Sequence, residues 1–212
     1  MRKHIFNELY FDKIDEERKA YWLGFIFADG HVGNSNKKTK SMRLRISIST
    51  KDEFLLDEFK KDIEANTVKI KRFVNKRDDI SDSKQSYIVL NSNALCDCLQ
   101  RYGIHSRKTY DISLPNIPKE FFKDFFRGFF DGDGYMNLYR RKDYVNRFRY
   151  SFEIVSASKD MIYGLKNKLK EYDIDINVYI REPKTNGSFK QNVPTYRLIS
   201  SSKTQIQNII KF

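Results

Sequence analysis

Apolar and polar residues alternate over 42–49, where Met42, Leu44, Ile46 and Ile48 interleave with Arg43, Arg45, Ser47 and Ser49. A period of two predicts a strand with one face buried and the other in solvent. The pattern returns where Phe148, Tyr150, Phe152 and Ile154 interleave with Arg147, Arg149, Ser151 and Glu153. Each strand runs into a Lys-Asp pair, Lys51-Asp52 or Lys159-Asp160, preceded by Thr50 or Ser158. Those hydroxyls read as N-caps of helices whose apolar positions are Leu55, Phe59 and Ile63, and then Ile162, Leu165 and Leu169. Further strands are predicted around 68–73 and 87–90, and again around 174–180 and 196–200. Short helices over 94–102 and 204–212 close the two halves. Asn186-Gly187 reads as a hairpin turn, a better account of Asn186-Gly187-Ser188 than a glycosylation site in a chain with no signal peptide.

Upstream of each alternating strand lies a second likeness: AYWLGFIFADG at 20–30 returns as DFFRGFFDGDG at 124–134. The fold class predicted is therefore α+β, built from two pseudo-symmetric αββαββα repeats over 1–112 and 113–212. The seam falls near 110–118, where Pro115 and Pro118 punctuate the chain and Pro118 opens the next helix. In the repeated segment, Gly24 and Ala28, like Gly128 and Gly132, are four residues apart. That spacing puts small residues on one helix face and lets two helix backbones approach closely. Trp22, Phe25 and Ile26, with Phe125, Phe129 and Phe130, would anchor the pair in apolar surroundings.

Asp29 and Asp133 fall at the C-terminal ends of these helices, with Gly30 and Gly134 as helix stops. A carboxylate is disfavoured there by the helix dipole. One such residue reads equally well as an Asp-Gly turn, but two at matching positions point to function. If the helix ends meet, two carboxylates and the last carbonyl oxygens form a set of hard oxygen ligands that needs a cation, with magnesium the natural guess.

Composition sharpens the partner. The chain has 212 residues with 40 Lys+Arg against 28 Asp+Glu, a formal charge of +12, which predicts a polyanion. The 40% hydrophobic content is enough for a core, so this charge does not imply disorder. Its placement is segregated. Lys37, Lys38, Lys40, Arg43, Arg45 and Lys51 occupy a stretch without acids, and Lys69, Lys71 and Arg72 follow on the next strand. The intervening helix carries Asp52, Glu53, Asp57, Glu58, Asp62 and Glu64. Arg140, Arg141, Arg147, Arg149 and Arg181 repeat the basic pattern in the second half. Loop cations are expected on phosphates, while Arg43, Arg45, Ser47, Arg147, Arg149 and Ser151 reach base edges of double-stranded DNA.

Cys96 and Cys98 make no disulfide framework and no zinc set, and read as core residues of a protein in a reducing compartment, cytoplasm or organelle matrix. His4, His31 and His105 are scattered, although His31 could touch a DNA backbone. No apolar run approaches the roughly 20 residues of a membrane span, so neither secretion nor membrane insertion is expected.

The segments WLGFIFADG at 22–30 and FRGFFDGDG at 126–134 resemble the paired signature of the LAGLIDADG homing endonucleases, and the likeness covers nearly the whole chain. It implies a functional monomer with its motif helices at the lobe interface and two saddle-like antiparallel sheets on a long asymmetric DNA site. It also implies magnesium-dependent hydrolysis of both strands, with manganese able to substitute and calcium supporting binding without cleavage. By position, Asp29 and Asp133 are the catalytic metal ligands, with the carbonyls of Ala28 and Gly132 alongside. Thr50 and Ser158 match the polar residues that support such a site. Lys108 matches an auxiliary lysine, and reads equally well as a DNA-facing cation. Phe27 departs from the motif's inner Asp, which Asp131 keeps, and no counterpart of Arg107-Lys108 follows in the second repeat. The alternative is an intron maturase gripping RNA, or a non-catalytic nucleic-acid binder of the same fold. An intein is not expected, because Met1-Arg2 and Lys211-Phe212 are not splice-junction residues.

Overall fold

The computed structural model describes residues 4–35, 40–77, 80–106, 109–140, 148–183 and 193–212. Among them the order of elements is the same in both halves. The first runs α1 (Glu17–Asp29), β1 (Gly30–Asn34), β2 (Met42–Ser49), α2 (Phe54–Asp62), β3 (Lys71–Arg77), β4 (Ile80–Asn91) and α3 (Asn93–Arg101). The second runs α4 (Phe122–Asp133), β5 (Gly134–Arg140), β6 (Phe148–Ser156), α5 (Lys159–Lys170), β7 (Asn177–Arg181), β8 (Thr195–Ser200) and α6 (Lys203–Lys211). The αββαββα repeat read from the sequence is therefore the fold. Each half contributes one four-stranded antiparallel sheet, in the orders β1-β2-β4-β3 and β5-β6-β8-β7.

The chain divides into two compact units, Met1–Ser106 with Ile117–Gly132, and Arg107–Asn116 with Asp133–Phe212. Helix α4 thus builds the core of the first unit, while the strand it leads into belongs to the second. Within the first unit, α1 and α4 pack backbone to backbone. A Cβ added to Gly24 would lie 2.0 Å from the carbonyl oxygen of Phe125, and one on Gly128 would lie 1.9 Å from that of Tyr21. No side chain fits at either position. The large residues around the glycines fill the core: Trp22, Phe25, Ile26, Phe125 and Phe129 are buried, each worth roughly 1.5–3 kcal/mol of hydrophobic stabilisation. Phe130 is half-buried. Trp22 also donates its indole N–H to Asp62 on α2 at 2.5 Å, a carboxylate that takes a 2.5 Å ion pair from Arg18.

The strands obey the alternation. Leu44, Ile46 and Ile48 are buried, and Arg43, Arg45, Ser47 and Ser49 face outward. In the second unit Phe152 and Ile154 are buried beneath α5, whose inner face is Met161, Ile162, Leu165 and Leu169. One of the two helix starts differs from expectation. Thr50 to Asp52 form a 3-10 turn capped by Ser49, and α2 begins only at Phe54, so Thr50 caps no α-helix and Leu56 takes the fully buried position beside half-buried Leu55. Ser158 does cap α5, accepting from Met161 N–H at 3.3 Å. Strand β3 begins at Lys71 rather than Val68, which is buried in the preceding loop. The predicted Asn186-Gly187 turn lies outside the described residues. Cys96 and Cys98 are buried and free, and burial pushes the Cys96 thiol up to about 12. Among the described residues no helix is long and apolar enough to cross a membrane.

Candidate functional site

The site is set by where α1 and α4 end. Gly132, the penultimate residue of α4, is in contact with α1: a Cβ there would lie 2.4 Å from the Cβ of Ala28 and 3.2 Å from Asp29 Oδ2. The two helices therefore converge at their C-terminal ends, and Asp133 follows Gly132 directly. Asp29 is half-buried and Asp133 exposed. Gly30 is not a left-handed helix stop. Its backbone is extended (φ −82°, ψ 148°) and opens β1 at once. A side chain is barred there instead by space, since a Cβ would stand 2.6 Å from the Ile26 carbonyl oxygen.

Asp29 opens into a groove of ≈ 540 Å³ within the first unit. Its polar walls are Asp131 and Gly132 from α4, Ser47 and Ser49 from β2, Gln85 from β4, and Asp52. Asp131 is held by Tyr21, whose hydroxyl donates to Oδ2 at 2.8 Å. Burial, then this hydrogen bond, raises the Tyr21 phenol far above its ordinary value and keeps it a donor. The groove thus combines carboxylates with amide and hydroxyl oxygens, hard donors of the kind that suit magnesium or calcium. Among the described residues no group of three or more His, Cys, Asp and Glu side chains forms a protein-only metal cage. Carboxylates spread along an open groove suit an ion whose coordination is completed by oxygens from outside the protein.

The predicted auxiliary residues separate. Thr50 and Ser86 share a hydroxyl–hydroxyl hydrogen bond of 3.2 Å on the helix side of the sheet. Ser158 is buried, and its hydroxyl donates to the Ile112 carbonyl besides capping α5, so it ties the inter-repeat segment down. Lys108, Lys37, Lys38, Arg141 and Arg147 lie outside the described residues, and of Arg140 only the backbone is described.

The remaining predicted basic residues that sit on strands lie on the outer sheet faces, with one exception. In the first unit Arg43 and Arg45 on β2 share that face with His31 on β1 and Lys71 on β3. Lys40 and Lys69 are exposed in the loops before β2 and β3. Arg72 points to the opposite side, where Glu53 takes it in two bonds of 2.7 and 2.5 Å. That pairing, with a further bond from Ser86, holds the Glu53 carboxyl down at about 2. In the second unit Arg149, Ser151 and Arg181 lie on the outer face.

Sequence reasoning missed Tyr87, Gln85 and Arg197, all on the last strands of the sheets. Arg45 stands over the Tyr87 ring at 4.1 Å and donates Nε–H to Ser47 Oγ at 2.9 Å. Arg197 donates Nε–H to Glu153 at 2.5 Å. Only cross-strand register brings these pairs together.

Two repeats, each a sheet on helices, joined through glycine-packed helices that end in Asp-Gly, define a LAGLIDADG-type fold. The chain belongs to the LAGLIDADG-like domain family, whose model matches residues 16–96 and 120–207. Among solved structures it is similar to the homing endonuclease I-WcaI bound to its DNA recognition sequence, with a TM-score of 0.62, 11% identity and coverage of 95% of this chain and 84% of that one. It is similar also to I-DmoI in complex with DNA and Ca, with a TM-score of 0.54, 15% identity and coverage of 97% and 88%. In sequence, 193 residues are 30% identical to the replication factor C small subunit of Methanocaldococcus jannaschii, covering 79% of this chain and 10% of that protein. A 170-residue stretch is 28% identical to that organism's probable translation initiation factor IF-2, covering 75% and 12%. The chain therefore spans about a tenth of the length of these curated relatives.

Proposed function

We propose that the protein is a site-specific endonuclease that hydrolyses both strands of a long asymmetric DNA target, using a divalent metal. The observation that carries the reading is the convergence of α1 and α4, which seats Asp29 against Gly132 and the chain immediately before Asp133. The +12 charge and the cations on the outer sheet faces support a DNA partner, as do similar folds solved on DNA. The partial matches to a replication factor C small subunit and a probable translation initiation factor name different tasks, and support a module independent of either.

Asp29 and Asp133 would hold magnesium, with the carbonyls of Ala28 and Gly132 beside them. Bound there, the ion supplies Lewis acidity to a phosphoryl oxygen and lowers the pKa of a water. Asp131, steadied by Tyr21, and Gln85 would orient that water in the groove. Lys40, Lys69 and Lys71 would neutralise and position the duplex, while Arg45 and Arg149 would face its base edges.

The test is cleavage of a plasmid-borne randomised DNA library by wild type, Asp29→Asn and Asp133→Asn. Discrete double-strand cuts in magnesium or manganese, lost by at least 100-fold in either variant with calcium-supported binding kept, are expected. Retained double-strand cleavage by both variants would overturn the assignment. Selective binding without cleavage by the wild type would leave a nucleic-acid binder of this fold.

A further inference from the structure

The outer face of the first unit's sheet carries one arginine that is fixed rather than free. Arg45 lies with Cζ 4.1 Å from the centroid of Tyr87 and 5.5 Å from that of Phe73, which itself meets Tyr87 edge-on at 5.6 Å. Its Nε–H is spent on Ser47 at 2.9 Å. These contacts come from three strands, β2, β3 and β4. A long side chain normally loses considerable rotamer freedom on binding, and here much of that loss is already incurred. With Nε–H turned toward Ser47, the two terminal amino groups have no acceptor among the described residues, and a bidentate match to a planar acceptor pair remains open to them.

The second unit fixes an arginine at the same register by other means. Gly30 pairs with Ile46 and Gly134 with Ile154, so Glu153 stands where Arg45 stands. Ile46 pairs with Ile88 and Ile154 with Leu198, so Arg197 stands where Tyr87 stands. The pair is thus inverted. The ring that carries a guanidinium is replaced by a guanidinium, and the guanidinium by a carboxylate, at 2.5 Å.

We propose that Tyr87 and Phe73 are positioning residues that hold Arg45 to read one guanine through O6 and N7, and that Glu153 does the same for Arg197 at another base pair. This rests on the DNA reading above. Guanine is the base whose major-groove edge offers two acceptors to such a fork. The aromatic or acidic support makes that contact rigid, so it discriminates rather than adapts.

The experiment begins by selecting bound duplexes from a randomised pool with the full chain in calcium, then measures affinity for every single base-pair change in the selected site. For wild type, two guanines are expected whose replacement weakens binding by about tenfold or more, one read by Arg45 and one by Arg197. Arg45→Lys should erase the first preference and leave the other positions unchanged. Tyr87→Leu should erase it at the same base pair and Tyr87→Phe should restore it, because the ring face is kept. Glu153→Gln should flatten a different base pair. A Tyr87→Leu variant that binds every duplex uniformly more weakly, with its base preferences intact, overturns the proposal, as does an Arg45→Lys variant with no single altered position. Failure of the wild type to enrich any duplex would instead overturn the DNA reading itself.

Discussion

The two sheets share a strand order and a register, yet the same outer corner is solved with opposite chemistry: Arg45 on the face of Tyr87 in one, Glu153 paired with Arg197 in the other. A cation–π contact leaves the full positive charge to the surroundings, and is worth about 0.5–1 kcal/mol at an exposed site. An ion pair cancels its own charge locally and shields one donor of the arginine. The first sheet therefore presents a stronger positive field at this point than the second. Two copies of one fold diverge first where side chains face outward, because nothing in the core resists the change.

Three tests break or sharpen that contrast. The largest effect should come from the feature on which the first unit depends. Gly128→Val would drive a side chain into the Tyr21 carbonyl, and should cost on the order of 3 kcal/mol or more by urea unfolding. A loss below about 1 kcal/mol would mean that the helix pair yields. Next, importing the second sheet's solution into the first, as Arg45→Glu with Tyr87→Arg, should leave stability within about 1 kcal/mol of wild type. The swap should also lower the salt dependence of DNA binding, read as the slope of log affinity against log salt. An unchanged slope would show that Arg45 does not set the local field.

The smallest effect concerns the helix side of the first sheet, where Arg72 grips Glu53. The folded carboxyl lies near 2 against an ordinary 4.5, so this contribution is complete above about 4.5 and is lost as pH falls toward 2. Thermal melts of Glu53→Gln should differ from wild type near neutrality and converge with it at the acid end. Parallel curves across that window would refute the pairing.

The fold was legible because its signals are local or repeated. The alternation at 42–49 buries Leu44, Ile46 and Ile48, and the four-residue glycine spacing brings α1 and α4 into contact. What the sequence hid depends on register between distant segments. Arg72 looked like its basic neighbours, but pairing opposite Ser86 turns it away from them toward Glu53. Tyr87 and Arg197 carried no local mark, since each acquires meaning only from the strand beside it. Thr50 and Ser158 were matching letters with unlike surroundings: a 3-10 turn after β2, and a buried cap that also holds the Ile112 carbonyl. Gly30 and Gly134 looked like helix stops. Gly30 is extended and needs its missing side chain for room beside Ile26.

That junction has a consequence of its own. The chain passes from helix to strand between Asp29 and Gly30 without a linking residue, and Gly30 is already in register with Ile46. The carboxylate and the outward residues His31, Arg43 and Arg45 are therefore geared to one another. Slipping the strand by one residue would exchange His31 for Val32 on the outer face and bury what now projects. Single substitutions on that face leave the gearing untouched. The acid is thus locked to the scaffold while the surface around it stays open to rewriting, so under the proposed function new targets would be reachable one side chain at a time without retuning the chemistry.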